Sequence, residues 1–292
     1  MKTKFAVCGI LLATLAGMAQ AALAENPFAP SAPPVAETAV PLSVRADNGM
    51  ILVDAIAEGI PCRLIVDTGA THTTFDRAFV RNSLKRESVR PVEIMGETNV
   101  NEQPGFFELA SFSLANASFG SFGAMAVDLS FLPATVGERV DGILGMNVLS
   151  AVPLVLSLRN ATLTLNPSAS ALVGFDERGK TLVPEAVLFP VMKHRKAFPV
   201  LVDSGSSFTF FNTSHWPAAA APSQENTATG INGSETAPRT PGIPGTFDKG
   251  PPLSLAPFIM DGREDTIGSD TLLRYDLYLS MPFFSFRPSS LQ

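Results

Sequence analysis

The segment RLIVDTGATHTTF (63–75) ends an apolar run on an aspartate and follows it with threonine and glycine. The same pattern returns in PVLVDSGSSFTFF (199–211). Downstream of each copy a second motif is also duplicated, because DGILGMNVL (141–149) aligns with EDTIGSDTL (264–272). Two blocks duplicated in the same order indicate an internal repeat, so the chain is predicted to contain two similar halves.

The composition is that of a globular chain with a substantial core. Of the 292 residues, 46% are hydrophobic and 16% are charged, and the formal net charge is −6. This length favours two domains or two halves. The acidic balance, without a basic stripe, argues against a nucleic-acid partner held through its phosphates. Beyond the N-terminal region, no segment approaches the ~18 unbroken apolar residues of a membrane span.

The N-terminus has the features of a secretory signal. Residues 1–24 combine two early lysines, an apolar run and two small-x-small cleavage sites. Cleavage would remove Cys8 and leave Cys62, so an internal disulfide is impossible although the compartment would be oxidising. We therefore expect a soluble mature chain in the periplasm of a bacterium with two membranes, with no stable membrane insertion after signal removal.

The rest of the chain divides by composition. Residues 25–41 contain five prolines and predict a loose leader, partly polyproline-like. We expect an N-terminal lobe over 42–170 and a C-terminal lobe over 171–292. Residues 217–252 contain seven prolines and five glycines, which predicts a long surface loop rather than a central strand.

Local patterning is mainly of the β type. Short apolar or alternating runs from Leu42 onward, separated by Gly and Asn turns, predict strands. One short helix is predicted over 76–84, with Asp76 or Thr74 as its N-cap. Three tail phenylalanines are expected to fill a core, namely Phe283, Phe284 and Phe286.

The chemistry of the two turns follows from an aspartate at the end of a buried strand. An isolated buried carboxylate is costly, and the glycine after it lets the chain turn sharply. If the turns face each other across a pseudo-two-fold axis, Asp67 and Asp203 lie within hydrogen-bond distance and share one proton. The ionised aspartate can then activate a water while the protonated one polarises a substrate carbonyl. Such a pair predicts hydrolysis of a peptide bond.

These motifs resemble those of the aspartic peptidases. VDTGA and VDSGS are each followed downstream by apolar residues and a glycine, and DTGAT…DGILGMNVLS is similar to the bacterial retropepsin-type group. The resemblance covers residues 42–166 and 185–287. It implies an all-β, bilobal aspartic-peptidase (pepsin/retropepsin-like) fold with two pseudo-two-fold related β-lobes and few short helices. It also implies a catalytic dyad and four residues that support the active-site loops, which are Asp67, Asp203, Thr68, Gly69, Ser204 and Gly205.

The sequence departs from pepsin-like enzymes at the flap. Their flap carries a tyrosine, whereas the tyrosines here, Tyr275 and Tyr278, lie in the last strand region. A flap placed at Glu93 to Phe107 would resemble the tyrosine-free retroviral kind. The third residue after the aspartate is Ala70 in the first half, as in retroviral enzymes, but Ser206 in the second.

Metal and cofactor chemistry is not expected. His72, His194, His215 and Cys62 have no metal-ligand spacing. The chain also lacks a Gly-x-Ser-x-Gly elbow, a phosphate-binding loop and a Gly-x-Gly-x-x-Gly motif.

The prediction is therefore a periplasmic aspartic endopeptidase, monomeric, that cleaves protein or peptide substrates, with limited cleavage of an envelope protein favoured over bulk digestion. Two alternatives remain open at this point. One is an inactive peptide-binding module of the same fold. The other is a homodimeric peptidase in which only the first half is a working lobe.

Overall fold

The structure is a computed structural model that describes residues 5–7, 27–86, 90–91, 104–175, 188–193, 196–215, 224–230, 233–239, 243–247, 252–255, 257–260, 264–281 and 283–289. The first eleven strands are β1 (Phe5–Val7), β2 (Thr38–Val44), β3 (Ile51–Ala57), β4 (Ile60–Val66), β5 (Thr74–Asp76), β6 (Arg90–Pro91), β7 (Gly105–Leu114), β8 (Ala117–Val127), β9 (Gly142–Leu144), β10 (Leu154–Ser157) and β11 (Thr162–Leu165). The others are β12 (Leu188–Lys193), β13 (Lys196–Val202), β14 (Phe210–Asn212), β15 (Gln224–Gly230), β16 (Gly233–Arg239), β17 (Ile243–Phe247), β18 (Pro252–Leu255), β19 (Phe258–Met260), β20 (Thr266–Ile267), β21 (Tyr275–Ser280) and β22 (Phe283–Pro288). The helices are α1 (Arg77–Asn82), α2 (Leu132–Val136), α3 (Met146–Leu149) and α4 (Ser269–Leu272).

The strands form two sheets. One has twelve strands in the order β22-β21-β10-β11-β2-β3-β4-β9-β5-β8-β7-β6. The other has ten strands in the order β1-β15-β16-β19-β14-β20-β13-β12-β17-β18. The protein is thus mostly β with few short helices, and the predicted fold class, two β-lobes of the aspartic-peptidase type, is confirmed.

Both halves contain the same strand crossing. In the first half, β4 runs parallel to β9, and β5 lies antiparallel on the other side of β9. In the second half, β13 runs parallel to β20, and β14 lies antiparallel to β20. The β4 residues Leu64, Ile65 and Val66 are fully buried, as expected for a strand covered on both faces.

The main hydrophobic core is shared by both halves. Val66 and Leu144 of the first half belong to the same buried cluster as Val202 and Ile267 of the second. A smaller cluster around Met50 lies within the first half. Because one core continues through both halves, the two crossings are held in a fixed relation.

The last two strands leave the second half and join the first sheet. β21 pairs antiparallel with β10, Leu154 lying opposite Leu279 and Leu156 opposite Leu277. The boundary predicted at residue 171 therefore does not separate two independent sheets. The physical reason is that β10 is the outer first-half strand of its sheet, and β21 covers its open backbone edge.

The N-terminal leader differs from the prediction of a loose segment. Residues 27–32 hydrogen-bond to β8, and the first strand of the lobe begins at Thr38 rather than at Leu42. Upstream, β1 lies inside the segment predicted to be a cleaved signal, and it pairs parallel with β15. An apolar N-terminus can add to an open sheet edge in the uncut chain, and the cleavage itself stays a prediction.

The prediction of a long loop over 217–252 is wrong for its described part. Three strands, β15 to β17, lie in this range and β18 begins at its last residue, and the four strands form two antiparallel hairpins. They lie toward the two ends of the ten-stranded sheet, where proline is tolerated because fewer backbone N–H groups need a partner.

Local predictions fare better in the first half. The helix predicted over 76–84 is α1, and the Asp76 carboxylate caps it by accepting from the backbone N–H groups of Ala78 and Phe79.

In the tail, Phe284 and Phe286 are buried as expected. Phe283 is wrongly predicted, because it is 43% exposed on the edge strand β22. In the described part of the chain, no helix has the length and apolar character needed to cross a membrane.

Candidate active site

The first Asp-Thr-Gly turn holds its carboxylate with backbone donors. Asp67 follows β4 directly and is fully buried. Its Oδ1 accepts hydrogen bonds from the N–H of Gly69 at 2.8 Å and of Ala70 at 3.0 Å. Its own N–H donates to the carbonyl of Leu144 at 3.1 Å, which ties the turn to β9.

The second turn repeats this arrangement. Asp203 follows β13 and is buried. Its Oδ1 accepts from the N–H of Gly205 at 2.9 Å and of Ser206 at 3.0 Å, and its N–H donates to the carbonyl of Ile267 at 3.0 Å. The two turns are therefore equivalent in their hydrogen bonds as well as in their sequence.

Reciprocal hydrogen bonds lock the turns together. The Thr68 hydroxyl donates to the carbonyl of Val202 at 2.6 Å, and the Ser204 hydroxyl donates to the carbonyl of Val66 at 2.8 Å. Each hydroxyl also accepts from the backbone N–H of the other residue, at 3.0 Å in both cases. All of these groups are buried, so no water competes for them.

The two glycines allow the carboxyl groups to approach. A Cβ atom built on Gly69 would lie 2.6 Å from Cγ of Asp203, and one built on Gly205 would collide with Cγ of Asp67. Each glycine therefore faces the aspartate of the opposite half. A larger residue at either position would displace the facing carboxyl group.

The two buried carboxyl groups influence the titration of each other, through charge and through a side-chain hydrogen bond. Burial and the negative charge of Asp203 raise the pKa of Asp67 well above its usual range. Burial also raises the pKa of Asp203 to about 6, with a hydrogen bond from Asp67 and two backbone N–H groups opposing the rise. Oδ2 of Asp67 is buried and has no donor among the described residues, so a proton on this carboxyl satisfies it. This oxygen without a donor makes Asp67 the carboxyl group that can hold a shared proton, with Asp203 as its ionised partner.

Each turn is supported by a side chain that the sequence interpretation missed. In the first half, the Thr73 hydroxyl accepts from the N–H of Gly145 and donates to Oδ1 of Asn147 at 2.9 Å. In the second half, Thr209 accepts from the N–H of Gly268 in the same way and donates to Oδ1 of Asp270 at 2.7 Å. These four residues occupy matching positions in the duplicated motifs, so the repeat alignment contained the signal.

All six predicted site residues lie together at this junction of the two halves. The predicted flap lies mostly outside the described residues, which include only 104–107 at its C-terminal end. Tyr275 and Tyr278 lie in β21, and Cys62 is buried and unpaired in β4. Across the described residues, no group of three His, Cys, Asp or Glu side chains could hold a metal ion.

Comparisons with known proteins agree with this geometry. Residues 53–148 match a family model described as aspartyl protease. Among solved structures, 358 chains match. One is the crystal structure of Basic 7S globulin from soybean, with 9% identity, a TM-score of 0.53, and coverage of 88% of this chain and 96% of that chain. At such identity the likeness concerns the fold alone, and no curated protein matches the chain.

The fold is that of the aspartic peptidases, and the paired Asp-Thr/Ser-Gly turns lie where the two halves of this fold meet. The segment similar to the aspartyl protease family, residues 53–148, contains Asp67 and the Ile-Leu-Gly strand β9 that runs parallel to β4.

Proposed function

We propose that the protein is an aspartic endopeptidase whose catalytic dyad is Asp67 and Asp203. The observation that carries this proposal is the pair of buried carboxyl groups, one on each half, whose turns are joined by the reciprocal hydrogen bonds of Thr68 and Ser204. The aspartyl protease match over residues 53–148 supports a hydrolase acting on peptide bonds. Two turns that contact each other in one chain favour a complete site over a homodimer of single working lobes.

The asymmetry of the pair assigns a role to each carboxyl group. Asp203, the ionised partner, takes a proton from a water molecule as the water oxygen bonds to the scissile carbonyl carbon. Asp67, the protonated partner, donates its hydrogen to the carbonyl oxygen, which becomes a hydroxyl in the tetrahedral intermediate. The proton held by Asp203 then passes to the leaving nitrogen as the C–N bond breaks. Asp67 takes its proton back from the hydroxyl of the intermediate, which becomes a carbonyl again.

The proposed substrate is an extended protein segment, and the proposed compartment is the periplasm. A base with a pKa of about 6 is ionised near neutral pH, which suits an enzyme outside an acidic compartment. The basic, apolar and small-residue pattern of residues 1–24 supports export through a cleavable signal. Because each half supplies one aspartate, we propose a monomer. Limited cleavage of an envelope protein is the role that fits this location.

The experiment compares Asp67→Asn and Asp203→Asn with the parent protein on fluorophore-labelled unfolded casein. Either substitution is expected to reduce kcat by a factor of at least about 10³ while the protein stays folded, since each removes one proton-transfer group. Asp54→Asn is the matched control, because Asp54 lies on the neighbouring strand β3 with a side chain that is 72% exposed. Its activity should equal that of the parent.

Two results would overturn the proposal. Parent protein that binds casein peptides without cleaving them would instead indicate a peptide-binding module. Full activity of Asp203→Asn would indicate that the first half works with a second copy of itself. Fractionation of cells expressing the full chain, beside a chain lacking residues 2–24, tests the location, and only the full chain should reach the periplasm.

A further inference from the structure

Residues 27–32, here called the N-terminal strap, lie along strand β8. The N–H of Ser31 donates to the carbonyl of Ser121 at 2.8 Å, and the N–H of Gly123 donates to the carbonyl of Pro27 at 2.6 Å. Space for the strap depends on glycine. A Cβ on Gly123 would lie 2.6 Å from the Pro27 carbonyl, and a Cβ on Gly120 would lie 2.5 Å from the Ser31 hydroxyl. The strap therefore packs against a surface of the first half where two glycines leave room for it.

Phe28 brings the strap to the first catalytic loop. Its ring contacts the imidazole of His72, with 4.0 Å between ring centroids, and the edge of Phe106 at 5.2 Å. Its carbonyl accepts a hydrogen bond from Nδ2 of Asn147 at 2.9 Å. His72 is five residues after the catalytic aspartate, so the strap contacts the loop that leaves the active site.

Asn147 connects the strap to that loop through its other amide atom. Oδ1 of Asn147 accepts from the backbone N–H of Thr73 at 2.7 Å and from its hydroxyl at 2.9 Å. A backbone N–H can only donate, which fixes Oδ1 on the Thr73 side and Nδ2 on the side of Phe28 and the Gly123 carbonyl. The backbone N–H of Asn147 also donates to the backbone carbonyl of Thr71.

The second half shows which atom matters for docking. Asp270 occupies the position that corresponds to Asn147, and it accepts from Thr209 as Asn147 accepts from Thr73. An ionised carboxylate has no hydrogen to donate to a carbonyl group. The hydrogen bond with the threonine therefore needs only the acceptor, whereas docking of the strap needs the amide donor that is present in the first half.

We propose that the N-terminal strap positions the first catalytic loop, with Phe28 and Asn147 as positioning residues for Asp67; this rests on the proposed peptidase function. The path runs from the Phe28 carbonyl through Asn147 to Thr73, and from the loop to Asp67, whose Oδ1 accepts from Ala70. The strap thereby makes the two halves unequal, since a carboxylate at position 270 has no hydrogen to donate to a backbone carbonyl.

The test uses Asn147→Asp, which keeps the acceptor for Thr73 and removes the donor to Phe28. We expect kcat on labelled casein to fall about tenfold with KM within about twofold, because small displacements of catalytic groups lower the rate more than binding. Phe28→Ala should have a similar effect, Phe28→Tyr should retain the parent kcat, and Phe28→Ala with Asn147→Asp should be no worse than either alone.

The matched control is Asn166→Asp. Nδ2 of Asn166 also donates to the leader, at the carbonyl of Pro34 at 2.8 Å, but beyond the strap. If both Asn→Asp variants lower kcat equally, or if neither does, the strap only adds stability and the proposal fails.

Amide hydrogen exchange separates this proposal from the peptidase proposal. Exchange at Thr73 and Met146 should accelerate in Asn147→Asp and Phe28→Ala and stay at the parent rate in Asn166→Asp. If the parent protein does not cleave casein while these rates change as expected, the positioning role stands and the peptidase assignment falls. Unchanged exchange in all three variants overturns the positioning role.

Discussion

Val155 lies directly opposite Tyr278 in the antiparallel pairing of β10 with β21. In the repeat alignment, Leu154 corresponds to Leu277 and Leu156 corresponds to Leu279. In the sheet the pairs are exchanged, because Leu154 lies opposite Leu279 and Leu156 lies opposite Leu277. The Val155–Tyr278 pair therefore marks where the pseudo-two-fold axis crosses the sheet. The reciprocal hydrogen bonds of Thr68 and Ser204 give the two Asp turns a two-fold relation as well, so the pair of carboxyl groups follows from the duplication.

The pH dependence of activity should follow the two carboxyl groups. With the pKa of Asp203 at about 6, kcat/KM should rise with pH through about 6 as this group becomes the ionised base. It should fall at higher pH as Asp67, whose pKa is raised further by burial and by Asp203, loses its proton. Steady-state rates on labelled casein from pH 4 to 9 provide the check, and a rate that is highest at pH 4 contradicts it.

The dyad should reduce the stability of the protein at neutral pH. Burial raises the pKa of Asp203 from 3.8 to about 6, so the folded chain holds a proton that the unfolded chain has lost. The free energy of unfolding therefore declines as pH rises from about 4 through 6. Asp67→Asn combined with Asp203→Asn removes this titration and should be more stable at pH 7 by on the order of 1–3 kcal/mol. Urea unfolding at pH 4 and pH 7 measures it, and an equal gain at both values would contradict this origin.

The glycines facing the carboxyl groups should not tolerate a methyl group. Gly69→Ala and Gly205→Ala would each force the opposite aspartate to move, and we expect about a hundredfold loss of kcat together with a loss of about 1–3 kcal/mol of stability. Gly59→Ala is the comparison, since nothing lies within 4 Å of the added atom and only its positive φ is strained. It should cost about 1 kcal/mol and leave kcat unchanged.

Removing one hydroxyl from the reciprocal bonds should destabilise the junction. Thr68→Val keeps the shape of the side chain and leaves the carbonyl of Val202 and the N–H of Ser204 without this partner in a buried site. The expected loss is at least about 2 kcal/mol in the free energy of unfolding. Thr68→Ser keeps the hydroxyl and should retain most of the free energy of unfolding of the parent protein. Losses from Thr68→Val and Ser204→Ala that simply add would show that the two hydroxyls act independently.

The sheet that joins the two halves contains a buried ion pair. Asp276 is 1% exposed and accepts hydrogen bonds from Ser157 at 2.6 Å, Ser289 at 2.9 Å and Arg287 at 3.0 Å. Asp276→Ala should lower the free energy of unfolding by about 3–5 kcal/mol, because it leaves a largely buried arginine without its carboxylate. Asp54→Ala breaks an exposed pair with Arg63 and should cost less than about 1 kcal/mol. Similar losses in the two variants would contradict the role of burial.

The sequence by itself determined the duplicated unit, the strand that ends on each aspartate, and the capped helix that follows the first one. These features depend on neighbouring residues, since apolar runs, turn glycines and an N-cap act over a few positions. The alignment paired Asn147 with Asp270, but their contacts with Thr73 and Thr209 depend on the folded turns.

Only the tertiary structure decided how distant segments meet. The β10–β21 pairing, the edge hairpins of the proline-rich segment and the seat of the strap on β8 all join residues far apart in the chain. Such contacts depend on which backbone edges and glycine-lined surfaces remain open once the local elements have formed. The raised pKa of Asp67 likewise depends on bringing the two buried turns together, because burial and the charge of Asp203 cause it.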